Sequence, residues 1–199
     1  MNKPLMALEK RCAHFFASLW PGEEKPLVFG FGKDTCPELM LIGEAPGEQE
    51  VLEGRPFVGK AGKNLTAFLE AVDLKREDIF ISNTVKIRPT KLSDKRRVVN
   101  RPPTKEEIGL FLPYLKEEIA LVKPKLLVTL GNVALKALMG KEAVIGQCHG
   151  QIMKAMIDEK AGLEIPLFAL YHPASVIYNR QLTAVYLNDL EVLKTVLHG

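Results

Sequence analysis

No stretch of this chain approaches the roughly 18–20 consecutive apolar residues of a membrane-spanning helix, so a helical integral membrane protein is excluded. The first residues, MNKPLMALEKRCAHFFASLW, mix charges among apolar positions and lack the separate basic, apolar and small-residue zones of a secretory signal. Cysteine is scarce: Cys12, Cys36 and Cys148 are widely scattered, which predicts no disulfide framework and a reducing, cytoplasmic setting. Neither GxGxxG nor the P-loop pattern occurs, which argues against a dinucleotide or nucleoside-triphosphate site. The net charge of +3 is too small to hold polyanions through bulk charge alone. Internal repeats and low-complexity segments are also missing.

What is present is an alternation of short apolar runs with amphipathic segments. LMLI (39–42), IFIS (79–82), KLLVTLG (125–131) and PLFALY (166–171) have strand length and are apolar throughout. Helical patterns lie around them at 5–20, 61–73, 104–122, 132–139 and 181–197, and Thr104 with Glu107 resembles a capping box. This order predicts an α/β protein with a mostly parallel sheet covered on both faces. The length of 199 residues suits one domain, with an N-terminal helix and turn (1–35) packed on it and a basic loop (86–104) inserted. Ligands of such sheets bind beyond the carboxyl ends of the strands, where GEAPG, NTVK, GN and HPAS follow the four runs. Glu44, Asn83 and His172 are therefore expected at one mouth.

The segment LIGEAPGEQEVLEGRPFVGKAG (41–62) spends five glycines on one loop. Gly43 and Gly47 permit a close approach of ligand to main chain. Phe57, between Pro56 and Val58, either packs in the core or stands exposed as a stacking surface. Gly59 and Gly62 open a helix whose N-terminus, with Lys63 in its first turn, suits a phosphate. Asn83 is either a turn residue or a reader of a pyrimidine's O4 and N3 edge, since its amide offers a donor and an acceptor. His172 either caps the helix begun by Pro173 or donates to a developing anion. The stretch KIRPTKLSDKRRVVNRPPTK (86–105) is either a solvated loop or a polyanion contact.

GEAPGEQEVLEGRPFVGKAGKNL, SNTVKIRP, TLGNVALKAL and YHPASVIY together resemble, in order, the motifs of the family 4 branch of the uracil-DNA glycosylase superfamily, over roughly residues 36–197. The resemblance implies a three-layer α/β/α sandwich that flips uracil out of single- or double-stranded DNA, hydrolyses its N-glycosidic bond and releases free uracil. It implies catalytic roles for Glu44, His172 and Glu50, with uracil held by Phe57, Asn83, Gly43 and Ala45. DNA would be held by Lys63, Gly59 and Gly62, by Ile177, Tyr178 and Arg180 at the minor groove, and by Lys95, Arg96, Arg97 and Arg101 of the basic loop. A monomer without membrane attachment is expected.

The sequence departs from that family in three places. Its typical members hold a [4Fe–4S] cluster on four cysteines, but here Cys12 stands alone and Phe15, Ile87 and Phe111 occupy the other three positions. Four thiolates are the usual requirement, so no metal and no cluster is expected. Ala45 is no departure: the best-known uracil glycosylases carry a water-activating aspartate there, its absence is normal for this branch, and the general base is left open. Val51 replaces an aspartate that often follows Glu50. A subclass with a comparable basic insertion ends it in KRRIH and captures DNA covalently through that histidine; Val99 in KRRVV removes the nucleophile. Two other readings stand beside the enzyme: a uracil-DNA sensor with little turnover, and a nucleotide- or phosphate-binding regulator using the glycine loops.

Overall fold

The four apolar runs form the middle of a single sheet because each has no polar side to turn to solvent. The computed structural model describes residues 2–179 and 181–199, with the side chains of residues 60, 61, 63, 64, 177 and 178 left out. Helix α1 (Lys3–Leu19) is followed by a short edge strand β1 (Phe31–Gly32), β2 (Leu39–Gly43), α2 (Glu48–Glu53), α3 (Lys60–Ala71) and β3 (Ile79–Asn83). A hairpin of β4 (Thr90–Leu92) and β5 (Val98–Asn100) leads to α4 (Lys105–Val122), β6 (Leu126–Leu130), α5 (Gly131–Met139) and α6 (Ile145–Cys148). Strands β7 (Ile152–Asp158) and β8 (Leu163–Leu170) and helices α7 (Pro173–Tyr178) and α8 (Gln181–His198) complete the order.

The sheet runs β1-β3-β2-β6-β8-β7. Its four central strands are parallel, pairing Leu41 with Ile81 and Val128, and Val128 with Phe168. The edges β1 and β7 are antiparallel. Alternate side chains feed two cores. Leu41, Ile81, Val128 and Phe168 meet Leu65 and Phe68 of α3 and Leu190 and Leu193 of α8. Met40, Ile42, Phe80 and Leu127 meet Leu8 of α1, Leu115 and Ile119 of α4, and Leu135 of α5. The result is the three-layer α/β/α sandwich that the sequence predicts.

Local chemistry sets the helix starts. Asn2 caps α1 by accepting from the Leu5 amide (2.9 Å), with Pro4 in the first turn. Thr104 and Glu107 form the expected reciprocal box at α4, and Glu107 also holds Arg101. The basic insertion differs from a plain loop. It is a two-stranded hairpin that turns through Arg96 in the left-handed region (φ 56°). Lys95, Arg96 and Arg97 are exposed at its tip.

Candidate active site

Strand β2 leaves the sheet at Gly43, where any Cβ would collide with the Asn83 amide oxygen and the Phe57 ring. At Gly62 a Cβ would run into the Phe57 carbonyl. These two glycines are therefore fixed by Phe57, which is itself unusual. It is a non-glycine residue at φ 55°, a conformation that costs on the order of 1–3 kcal/mol unless its surroundings enforce it. Arg76 enforces it by donating to the carbonyls of Pro56 (3.1 Å) and Phe57 (3.3 Å). Glu50 accepts from the amides of Gly47 (3.1 Å), Val58 (3.1 Å) and Gly59 (2.9 Å), so its carboxylate clasps the loop from inside.

Of the two readings of Phe57, the packed one describes its place: it is 5% exposed and packs with the α3 face of the core, while part of its ring still faces the cleft. Glu50, which the resemblance gives a catalytic role, lines the cleft and has both oxygens committed to main-chain N–H groups, so it also serves as a clasp for the loop. Glu50→Ala leaves three amides without their partner and is expected to lower unfolding stability by at least about 2 kcal/mol, read by urea denaturation.

The clasped loop forms one wall of a cleft of about 630 Å³ lined by Glu44, Ala45, Phe57, Asn83 and His172, with Val98 to Asn100 of the hairpin opposite. A second cleft of about 420 Å³ shares Glu44, Ala45, Asn100 and His172 and extends to Gly131 and Tyr171. The three strand ends thus meet at one mouth. Asn83 is 3% exposed, and among the described residues its side-chain amide has no hydrogen-bond partner, so donor and acceptor both remain for a ligand. The Glu44 carboxylate is equally without a protein partner, and burial raises its pKa above the ordinary 4.5.

His172 does two things at once. Its Nδ1 accepts from the Ala174 amide (3.2 Å) and caps α7. That contact requires a lone pair on Nδ1, which puts the proton of the neutral ring on Nε2. Burial lowers the His172 pKa and favours this neutral form. The helix-cap and donor readings of His172 are therefore compatible.

Among the other expected contacts, Gly43 lies buried beneath the cleft and Gly59 lines it. Arg101 is not free for phosphate. Its guanidinium is bidentate to Glu107 (2.7 Å to each oxygen) and donates to the Thr90 carbonyl, so its charge is already paired. Arg180 and the side chains of Lys63, Ile177 and Tyr178 lie outside the described residues. Two useful residues are missing from those expectations: Arg76, which carries no sequence signal of its own, and Arg88, which lies within the basic stretch and the SNTVKIRP motif, lines the cleft and donates to Asn100 (2.7 Å) and Glu48 (3.2 Å).

The place where the family resemblance would put an iron–sulfur cluster is packed with rings. Cys12, Phe16, Val85, Ile87 and Phe111 form a separate buried core, and Phe16 stacks on Phe111 at 4.0 Å between centroids and 14° between planes. Phe15, the expected replacement, is 38% exposed, and Phe16 one residue on fills the space. Burial pushes the Cys12 thiol up to about 12, which disfavours the thiolate a metal needs. Among the described residues no three His, Cys, Asp or Glu side chains converge in a way that could hold a metal. The donor set does not fit a cluster.

Fold and site together define a three-layer α/β/α protein with a polar-lipped pocket beyond its parallel strands. A family model described as the uracil DNA glycosylase superfamily matches residues 29–193. Three relatives share the description type-4 uracil-DNA glycosylase. The one from Sulfurisphaera tokodaii is 36% identical over 192 residues, covering 93% of this chain and 78% of the relative. That from Saccharolobus solfataricus is 39% identical over 186 residues (87% and 81% covered), and that from Thermotoga maritima 36% over 173 (85% and 82%). The crystal structure of Pedobacter heparinus SMUG2 shares the fold, with a TM-score of 0.54 at 13% identity over 95% of this chain and 83% of that one. The chain belongs to the uracil DNA glycosylase superfamily, on its type-4 branch.

Proposed function

We propose that this protein excises uracil from DNA by hydrolysing its N-glycosidic bond, leaving an abasic site that initiates base excision repair. The observation that carries the reading is the convergence of an unpartnered amide (Asn83), an aromatic edge (Phe57), an Nε2–H donor (His172) and an unpaired carboxylate (Glu44) on one cleft. A base inside a duplex is out of reach, so it is extruded at a cost of a few kcal/mol. Asn83 then reads the O4 and N3 edge while the ring of Phe57 supports the base. Water adds at C1′, the C1′–N1 electron pair leaves with uracil as an anion whose O2 accepts from His172, and the proton lost by the attacking water is balanced by protonation of the departing uracil. Glu44 stabilises the cationic sugar and orients the water. The clefts contain no lysine among their described lining residues, which supports a monofunctional enzyme without a Schiff base.

The proposal includes a monomer that works in the cytoplasm on single- or double-stranded uracil-DNA, releases free uracil and contains no iron–sulfur cluster. The aromatic core in the cluster's place supports the last point, and an iron-dependent absorption band near 400 nm would contradict it. The described residues contain no helix long and apolar enough to cross a membrane. At the hairpin tip, Arg96→Ala/Arg97→Ala weakens DNA binding and flattens the dependence of log K on log salt by about 0.9 for each phosphate no longer neutralised. An unchanged slope in a salt titration removes the hairpin from the DNA interface.

The pH dependence follows from Glu44. Its pKa is raised, so its carboxylate is lost at a higher pH than an ordinary glutamate's as the solution is acidified, and excision falls with it. The same shift means that folding stability associated with this group is present at low pH and lost as pH rises through its folded pKa. Glu44→Gln is therefore expected to raise the Tm at pH 7 while abolishing both excision and its acid limb; a lower Tm or a retained limb contradicts the assignment.

The test is an oligonucleotide with one uracil, incubated with protein and treated with hot alkali. Wild-type protein gives alkali-labile cleavage, and Asn83→Ala gives it far more slowly. Retention of uracil-DNA without cleavage indicates a sensor instead, and a protein–DNA band surviving denaturation before alkali indicates covalent capture.

A further inference from the structure

A buried ion pair lies behind Asn83 and is not used by the chemistry above. Lys86 and Glu118 are 1% and 3% exposed, and Nζ meets Oε2 at 2.7 Å. Glu118 also accepts from the Ser82 hydroxyl (2.7 Å) and the Gly30 amide (3.2 Å), so α4 reaches through the core to β3 and to the segment just before β1. Lys86 donates to Ser82 Oγ (2.5 Å) and, with its remaining N–H, to the main-chain carbonyl of Asn83 (3.1 Å). Taking two charges out of water is unfavourable, and apolar residues of similar volume are often at least as stabilising in such places. A lysine with this burial, with one of its bonds on a pocket residue's carbonyl, is a candidate for more than packing.

The local hydrogen bonds say what it holds. The Asn83 amide has no protein partner, so its aim is set by its own main chain. Thr84, the next residue, donates to the Gly43 carbonyl through both its N–H (2.9 Å) and its hydroxyl (2.8 Å), and the Val85 amide donates to the Glu44 carbonyl (3.2 Å). The segment from Ser82 to Lys86 therefore fixes Asn83 from below and ties it to Glu44 from the side.

We propose that Lys86, oriented by Glu118 and Ser82, is a positioning residue for uracil recognition: it clamps the Asn83 carbonyl so that the amide points into the cleft. This rests on the glycosylase reading. A clamp that fixes the last peptide of β3 limits rotation at the Cα from which the amide springs. Displacements of about 1 Å in such a group cost on the order of 10²-fold in rate.

The test uses the full chain and single-turnover cleavage of uracil-DNA, with Tm measured on every variant. Lys86→Met is expected to lose on the order of 10²-fold in rate. Lys86→Met/Glu118→Gln removes both charges, keeps an amide oxygen to accept from Gly30 and offers Ser82 Oγ an N–H in place of the second carboxylate oxygen; it is expected to fold with a near-wild-type Tm and to remain slow. In an Asn83→Ala background, Lys86→Met is expected to add less than about twofold, because the group it positions is gone. Recovery of the wild-type rate in the neutral double variant overturns the inference, as does a Lys86→Met loss undiminished without Asn83; both would mark the pair as structural. If Lys86→Met alone does not fold, the neutral double variant carries the comparison. Wild-type protein that leaves uracil-DNA intact overturns the glycosylase reading, and this inference with it.

Discussion

Replacing His172 with alanine lowers single-turnover excision of uracil on the order of 10²–10³-fold, the usual effect of removing one donor to a developing oxyanion. The size follows from the state of the ring. Nδ1 is occupied by the Ala174 amide and burial holds the imidazole neutral, so Nε2–H is a preset donor that needs no protonation before the bond breaks. Alanine also removes the cap of α7, at a cost of about 1 kcal/mol. His172→Asn separates the two roles, because asparagine caps well but is shorter than the imidazole. It is expected to recover the Tm and not the rate. Rapid-quench kinetics beside thermal melts checks both, and a fast His172→Asn variant would place the chemistry elsewhere.

Phe111→Ala is expected to destabilise the protein by about 3–5 kcal/mol, as large-to-small changes of buried aromatic residues do. For a chain of this size that lowers the Tm by roughly 6–20 °C. Phe111 is fully buried on α4, stacks on Phe16 of α1, and packs with Val85 and Ile87, in the segment just beyond Asn83. It thus joins two helices to the site strand through dispersion and burial, in a place where the family resemblance implies metal–thiolate bonds. Phe15→Ala is the comparison, since Phe15 is 38% exposed and touches this core only from its edge, and it should cost distinctly less than Phe111→Ala. Thermal unfolding of the pair decides the matter. Equal losses would mean that the aromatic core does not hold this corner together.

Much of the site was legible because it depends on strand ends. LMLI, IFIS, KLLVTLG and PLFALY are apolar on both faces, which only a covered parallel sheet satisfies, and that geometry brings Glu44, Asn83 and His172 to one mouth. The edge strands were not legible: β1 has two residues, and β7 carries Lys154 and Asp158 among its apolar positions. The hairpin was hidden because its turn runs through Arg96 in the left-handed region rather than through the Asn-Gly or Asp-Gly pair that marks such turns. The choice between the two readings of Phe57 was not legible for a related reason. Its backbone enters the same region, which turns the ring inward, and Arg76, nineteen residues away, holds it there. The roles of Glu50 and Lys86 depend on which carbonyls and amides surround them, and residue spacing does not encode that. Choosing Phe16 over Phe15 needed the rotation of α1 against α4, which one helical pattern leaves free.

The most direct measurement of the central claim follows free uracil itself. DNA carrying a single base-labelled uracil is incubated with the protein and the soluble base is counted against abasic sites formed. One uracil released per abasic site by wild type, and a strongly suppressed yield over the same interval with Asn83→Ala, is the predicted result. DNA that keeps its label while bound protein accumulates on it would contradict excision and make this pocket a receptor for uracil instead.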